Sequence, residues 1–204
     1  MTKRLNSFLP IFDGEFGVRL AERSEPMRQL LSLLEKRVVQ AGRTPVVVEI
    51  GSVMLDHGWE SHGGSTLVFD AFVAFHGGWL ISVDHSLEVV RRARSLVSNR
   101  TVFLVGESTT ALGALGAIGV ASAVDLLYLD GAEWTDGTER TSGALRDLLA
   151  SQFLGSDAII ACDDVYEDGF GGFEGSGGAV RTYFQRAGKR PLVDGRVCAW
   201  DASA

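Results

Sequence analysis

"VEIGSVMLDHGWESHGGST", residues 48–66, opens as a buried strand and closes as the start of a helix. Val46 to Ile50 is a short apolar run broken by Glu49 and followed by Gly51; the next glycines, Gly63 and Gly64, lead through Ser65 and Thr66 into an apolar helical pattern. Glycine lets a ligand approach the backbone and a helix N-terminus presents free N–H groups, so strand, turn and helix make the frame of a ligand loop. A tight strand-to-helix turn with no ligand has the same glycines. Residues 54–62 lengthen the loop and carry Asp56, His57, Trp59, Glu60 and His62.

On either side of this stretch the chain alternates. Apolar runs of buried-strand type recur at Trp79–Val83, Val102–Val105, Val124–Leu129 and Ala158–Cys162, separated by helical patterns around Thr66–Phe75, Leu87–Val97, Ser108–Leu115 and Ser142–Phe153. Strands apolar on both faces and alternating with helices give a parallel sheet covered on both sides. Upstream, Ser24-Glu25-Pro26 is an N-cap candidate with proline in the first turn, and Met27, Leu30, Leu31, Leu34 and Val38 recur at helical spacing up to Gly42. Downstream, "RPLVDGRVCAW" (190–200) sets Asp194-Gly195 between two apolar runs, the preferred sequence of a two-residue hairpin, so the last strands are expected to be antiparallel. The glycine-rich stretch Gly169 to Gly178, with Phe170 and Phe173, reads as a mobile loop suited to a lid.

The 204 residues suffice for one domain, and 46% hydrophobic with 22% charged residues is an ordinary globular composition. A formal charge of −7 disfavours a nucleic-acid surface, and Arg91, Arg92 and Arg94 read as a solvated helix face. Cys162 and Cys198 sit in apolar runs without metal-type spacing, as buried thiols of a reducing compartment do. The N-terminus lacks the apolar segment of a secretory signal, and no run approaches a membrane span. The reading is therefore a soluble, cytoplasmic protein with no membrane partner.

Ligands of open α/β sheets bind beyond the carboxyl ends of the strands. Asp84 ends the second strand, placed either to accept ribose hydroxyls or to cap the next helix; Gly106-Glu107-Ser108 ends the third. Asp130, with Glu133 shortly after it, ends the fourth, and Asp163-Asp164 the fifth. Three carboxylates at adjacent strand tips repel one another unless compensated, and form the all-oxygen set that a hard divalent cation takes.

In order and spacing these segments resemble the class I S-adenosylmethionine-dependent methyltransferases, in particular the metal-dependent O-methyltransferases of the catechol and macrolide-sugar type. The resemblance runs from Val46 to the C-terminus. It implies a Rossmann-like, doubly wound, mostly parallel seven-stranded sheet with an antiparallel last strand. Residues 43–204 would form the S-adenosylmethionine-binding domain, and 1–42 an N-terminal segment and helix that help to cover the substrate.

Carried over, Glu49, Gly51, Ser52, Gly64, Ser65 and Thr66 would line the methionine end of the cofactor. Asp84, with His85 beside it, would hold the ribose, and Gly106, Glu107 and Ser108 would lie beside the adenine. Asp130, Asp163 and Asp164 would ligate Mg2+ or another divalent cation, with Asp130 also bordering the cofactor and the reacting centre.

Relatives place a basic residue where this chain has Glu133, so Glu133, or His62 from the lengthened loop, is the candidate proton acceptor; Glu133 as a further metal ligand is the alternative. The implied partner is a small-molecule acceptor: a sugar, a phenol or a natural-product hydroxyl. The chain is short, so the N-terminal segment, the inserted loop, the lid and a second subunit of a homo-oligomer are the candidates to shape its pocket. Two other readings use the same residues: a cofactor-binding protein without methyl transfer, and a metal-dependent hydrolase or hydroxylase-like enzyme. A nicotinamide-dependent oxidoreductase lacks its tight glycine run here.

Overall fold

The computed structural model describes residues 7–53, 64–130, 137–152 and 154–203. Its centre is a six-stranded sheet built from β1 (Val46–Ile50), β2 (Trp79–Asp84), β3 (Thr101–Val105), β4 (Leu126–Leu129), β5 (Ile159–Cys162) and β8 (Cys198–Asp201). Their order is β3-β2-β1-β4-β5-β8, parallel except for β8, which runs antiparallel to β5. Strand order reverses between β1 and β4, and that switch point is where such sheets take their ligands.

One face is covered by α2 (Ser24–Ala41), α3 (Ser65–His76) and α4 (Leu87–Arg94); the other by α5 (Ser108–Ala117), α6 (Gly137–Ala150) and α7 (Gly178–Arg186). The expected stripe of α2, Met27, Leu30, Leu31, Leu34 and Val38, is buried against this sheet. Ser24 is not a cap: a 3-10 turn over Ala21–Arg23 runs straight into the helix, and Ser24 is its first residue.

The N-terminal segment begins with α1 (Leu9–Ile11), and its Phe8 and Phe12 are fully buried in the core of their own chain. The Phe8 ring meets Phe72 of α3 edge-on at 5.5 Å, and Phe8 N–H donates to Glu35 at 2.7 Å. Both rings are packed into the core of their own chain. Cys162 and Cys198 are both free and buried, directly opposite one another across β5 and β8.

Two expectations are corrected. Among the described residues the sheet has six strands, because the segment before Asp194-Gly195 contributes only a bridge between Val193 and Ala199. The two-residue turn does not form: Asp194 accepts from Arg181 at 3.2 Å, and Gly195 is packed so closely on Pro26 that a Cβ there would lie 2.7 Å from the proline ring. The glycine-rich stretch has local structure of its own. Around it β6 (Tyr166–Glu167) and β7 (Phe173–Glu174) pair as a hairpin. Asp168 closes the turn by accepting from the N–H groups of Phe170 at 2.8 Å and Gly172 at 2.9 Å, while Phe170 itself is 98% exposed. Among the described residues no helix is long and apolar enough to cross a membrane.

Candidate active site

Side chains alternate along a strand, and register partners in a parallel sheet share a face. Ser82 and Tyr128 flank Glu49 in register on β2 and β4, and Ala161 follows Tyr128 on β5. Two residues further on, past the strand ends, the same parity brings Asp84, Gly51, Asp130 and Asp163 to the edge of the face that carries α2 and α3. The ladder continues there: Gly51 N–H donates to Val83 at 2.8 Å, Asp130 N–H to Ile50 at 2.9 Å and Asp163 N–H to Leu129 at 3.1 Å. Gly51 has φ +94°, a conformation that favours glycine.

At the switch point Glu49 is fully buried. Its Oε2 accepts from Thr66 Oγ1 at 2.7 Å and Ser82 Oγ at 2.9 Å, and Thr66 Oγ1 in turn accepts from Val53 N–H at 2.9 Å. Ser52 Oγ lies 2.8 Å from Ser82 Oγ, completing a network that ties the loop after β1 to the first turn of α3. Glu49 Oε1 and the buried Ser65 Oγ have no partner among the described residues. Burial pushes the Glu49 carboxyl up to about 7, against the nearby hydroxyl of Ser65, which lies outside hydrogen-bonding geometry, and the donated hydroxyls of Thr66 and Ser82. Gly64 is the residue before the first turn of α3, so its neighbours present the N–H groups expected there.

On the next strand Asp84 accepts from Ser52 N–H at 2.9 Å through Oδ2 and from Ser86 N–H at 2.8 Å through Oδ1. Each oxygen keeps a lone pair. His85 is half exposed, with Nδ1 3.7 Å from Asp84 Oδ1. Gly106 N–H donates to Asp84 O at 3.0 Å, Glu107 is the extended residue before α5, and Ser108 donates to the buried Asp147 of α6 at 2.5 Å. Burial raises the Asp147 carboxyl, and the Ser108 hydroxyl opposes it.

The acidic tips divide in a way the sequence did not suggest. Asp130 and Asp163 end neighbouring strands; burial, then the charges of Asp163 and Asp164, raise the Asp130 carboxyl well above its ordinary range, with Arg23 acting in the other direction. Asp163 is buried, its Oδ2 accepting from Arg23 Nη1 at 2.9 Å and Tyr128 Oη at 2.7 Å and its Oδ1 from Asp164 N–H at 2.8 Å. Asp164 takes a left-handed φ of +52° and is engaged by Arg196 and by Tyr166, whose hydroxyl donates at 3.1 Å. Gly175 presses on Asp164 O, where a Cβ would approach to 1.9 Å, and fixes the hairpin there.

Among the described residues no three His, Cys, Asp or Glu side chains form a metal-type group. Asp130 ends β4 and Asp163 and Asp164 follow β5, with Asp163 paired to Arg23 and Asp164 to Arg196. Magnesium keeps several waters and takes one or two carboxylates, so Asp130 with Asp163 or Asp164 would suit it. Glu133, His62 and the rest of the loop insertion lie outside the described residues.

Solved structures share this architecture. CalS11, a TDP-rhamnose 3′-O-methyltransferase of calicheamicin biosynthesis, superposes in its apo form with a TM-score of 0.55 at 16% identity, over 100% of this chain and 93% of its own. A second CalS11 structure gives 0.55 at 17% identity, with 91% of its chain covered. MycE, the mycinamycin-pathway methyltransferase in complex with Mg, SAH and mycinamycin VI, gives 0.52 at 16% over 94% of this chain.

The fold is that of these methyltransferases.

The chain spans about half, 48%, of the MycE chain. No family model and no curated protein matches it. Within the methyltransferase fold, the residues carried from sequence onto β1, β2 and α3 come together, whereas Ser82, Tyr128, Asp147 and Arg23 complete the site without having been singled out. Ser82 and Tyr128 had a signal: each is polar inside an apolar strand and stands two residues before a carboxylate.

Proposed function

We propose that the chain is an S-adenosylmethionine-dependent methyltransferase acting on a small-molecule hydroxyl, that of a sugar, a phenol or a natural-product scaffold, with a divalent cation such as Mg2+ at the β4–β5 edge. The observation that carries this reading is the unsatisfied pair at the switch point. Glu49 Oε1 and Ser65 Oγ are buried polar atoms without partners among the described residues, and a buried polar atom without a partner is costly. An amino-acid end group would satisfy both: its ammonium would donate to Glu49, and its carboxylate would accept from Ser65 and from the N–H groups opening α3. One strand away, the free lone pairs of Asp84 suit two ribose hydroxyls. The likeness to CalS11 and MycE supports the same assignment.

When bound, the cofactor supplies an electrophilic methyl group and the cation lowers the pKa of the acceptor hydroxyl. The chain's own residues bind and orient. Asp84 and Glu49 would hold the two ends of the cofactor and so orient its methyl group toward the acceptor. Asp130 and Asp163 Oδ1 hold the cation edge. Glu133 or His62 takes the acceptor proton in this proposal.

The test is formation of S-adenosylhomocysteine with nucleotide-sugar and phenolic acceptors, followed by mass spectrometry. Product is expected to require an acceptor and to fall on the order of 100-fold or more on chelation or in Asp130→Asn, the scale of losing hydroxyl activation. Saturable cofactor binding with no methylated product across the acceptors would favour a binding protein. Acceptor cleavage without S-adenosylmethionine would favour a hydrolase.

A further inference from the structure

The carboxylate of Asp163 is fully buried and held from three directions. A carboxylate oxygen offers two lone pairs, so the donors Arg23 Nη1 at 2.9 Å and Tyr128 Oη at 2.7 Å fill Oδ2, whereas Oδ1 accepts, among the described residues, the Asp164 N–H at 2.8 Å alone and keeps one there. Arg23 is itself 3% exposed and comes from the turn before α2, 140 residues away in sequence. Tyr128 is locked from its other side, its ring edge-on to Phe69 at 4.9 Å. A buried ion pair adds little stability over a well-packed apolar pair, so stability alone does not account for this one. What it does is fix orientation: Oδ2 is taken by the arginine and the tyrosine, which leaves Oδ1 as the less occupied oxygen among the described residues.

We infer that Arg23 and Tyr128 are positioning residues of the cation edge, which aim Asp163 so that Oδ1 alone is presented as a ligand and make the N-terminal turn part of the site. The inference rests on the cation assignment made under the proposed function. Groups that orient a ligating carboxylate typically change metal affinity by about 10–100-fold when removed.

The test is titration of metal-stripped protein with Mn2+, the free ion being followed by its electron paramagnetic resonance signal. Two variants leave charge unchanged: Tyr128→Phe keeps the ring and deletes one donor, and Arg23→Lys keeps the cation and deletes the planar fork. Both are expected to bind Mn2+ about 10–100-fold more weakly than the wild type, the affinities being compared well below each variant's melting temperature; Asp163→Asn serves as the reference for loss of the ligand. Variants that match the wild type in Mn2+ affinity while Asp163→Asn loses it would overturn the positioning role and leave the cation site standing. Wild-type protein that binds no Mn2+ would overturn the cation site and this inference together. Should Arg23→Lys fail to fold, Tyr128→Phe decides alone.

Discussion

Arg23→Met is expected to lower the stability of the folded chain by about 3–5 kcal/mol, the range for removing one partner of a buried ion pair. The Arg23–Asp163 contact is 2.9 Å long with side chains 4% and 0% exposed, so water cannot take over for the missing guanidinium. Asp163 would keep the Tyr128 hydroxyl and one backbone N–H, both neutral donors. At roughly 2–4 °C per kcal/mol for a chain of this size, the melting temperature should drop by about 10 °C. The loss should be strongly non-additive with Asp163→Asn, because the second change removes the stranded charge. Chemical denaturation of the two single variants and the double variant measures this. A loss below about 0.5 kcal/mol, the level of an ordinary surface substitution, would mean that Arg23 is not held where it is described.

The second large effect is a dependence on pH carried by Glu49. Its carboxyl is raised by burial from an ordinary 4.5 to about 7, so the folded chain binds a proton that the unfolded chain has released. The sign follows from linkage: stability from this group is fully present below 4.5, falls as pH rises, and is lost above about 7. At 1.36 kcal/mol per pH unit the loss is on the order of 3 kcal/mol. Glu49→Gln removes the titration and keeps the shape. The stability difference between the Glu49→Gln variant and the wild type should shift in favour of the variant by that amount between pH 4.5 and about pH 8, other groups cancelling in the comparison. A difference independent of pH would show that Glu49 is ionised in the folded state. A cationic ligand beside Glu49 should also expel its proton, so binding near neutral pH should release protons to the buffer.

Much of this was legible in the chain because buried parallel strands are continuous apolar runs, in which a polar residue stands out. The tips of β1, β2, β4 and β5 were read from Glu49, Asp84, Asp130 and Asp163 for that reason, and Ser82 and Tyr128 follow by counting back two residues from Asp84 and Asp130. Arg23 was not legible. Its partner is 140 residues away, and a lone arginine before a helix has the pattern of any solvated residue. The last hairpin misled because Asp194-Gly195 has the composition of a tight turn, whereas tertiary contacts with Arg181 and Pro26 claim both residues. No sequence pattern announces the left-handed backbone of Asp164 or its pairing with Arg196.

The most direct test of the central claim is calorimetric titration of the protein with S-adenosylmethionine, repeated on Asp84→Ala. The account expects saturable one-site binding by the wild type. It expects Asp84→Ala to be weaker by about 10–100-fold, since hydrogen bonds to a charged group contribute about 1.5–3 kcal/mol and each 1.4 kcal/mol is tenfold. No binding by the wild type, or binding that Asp84→Ala leaves unchanged, would contradict it.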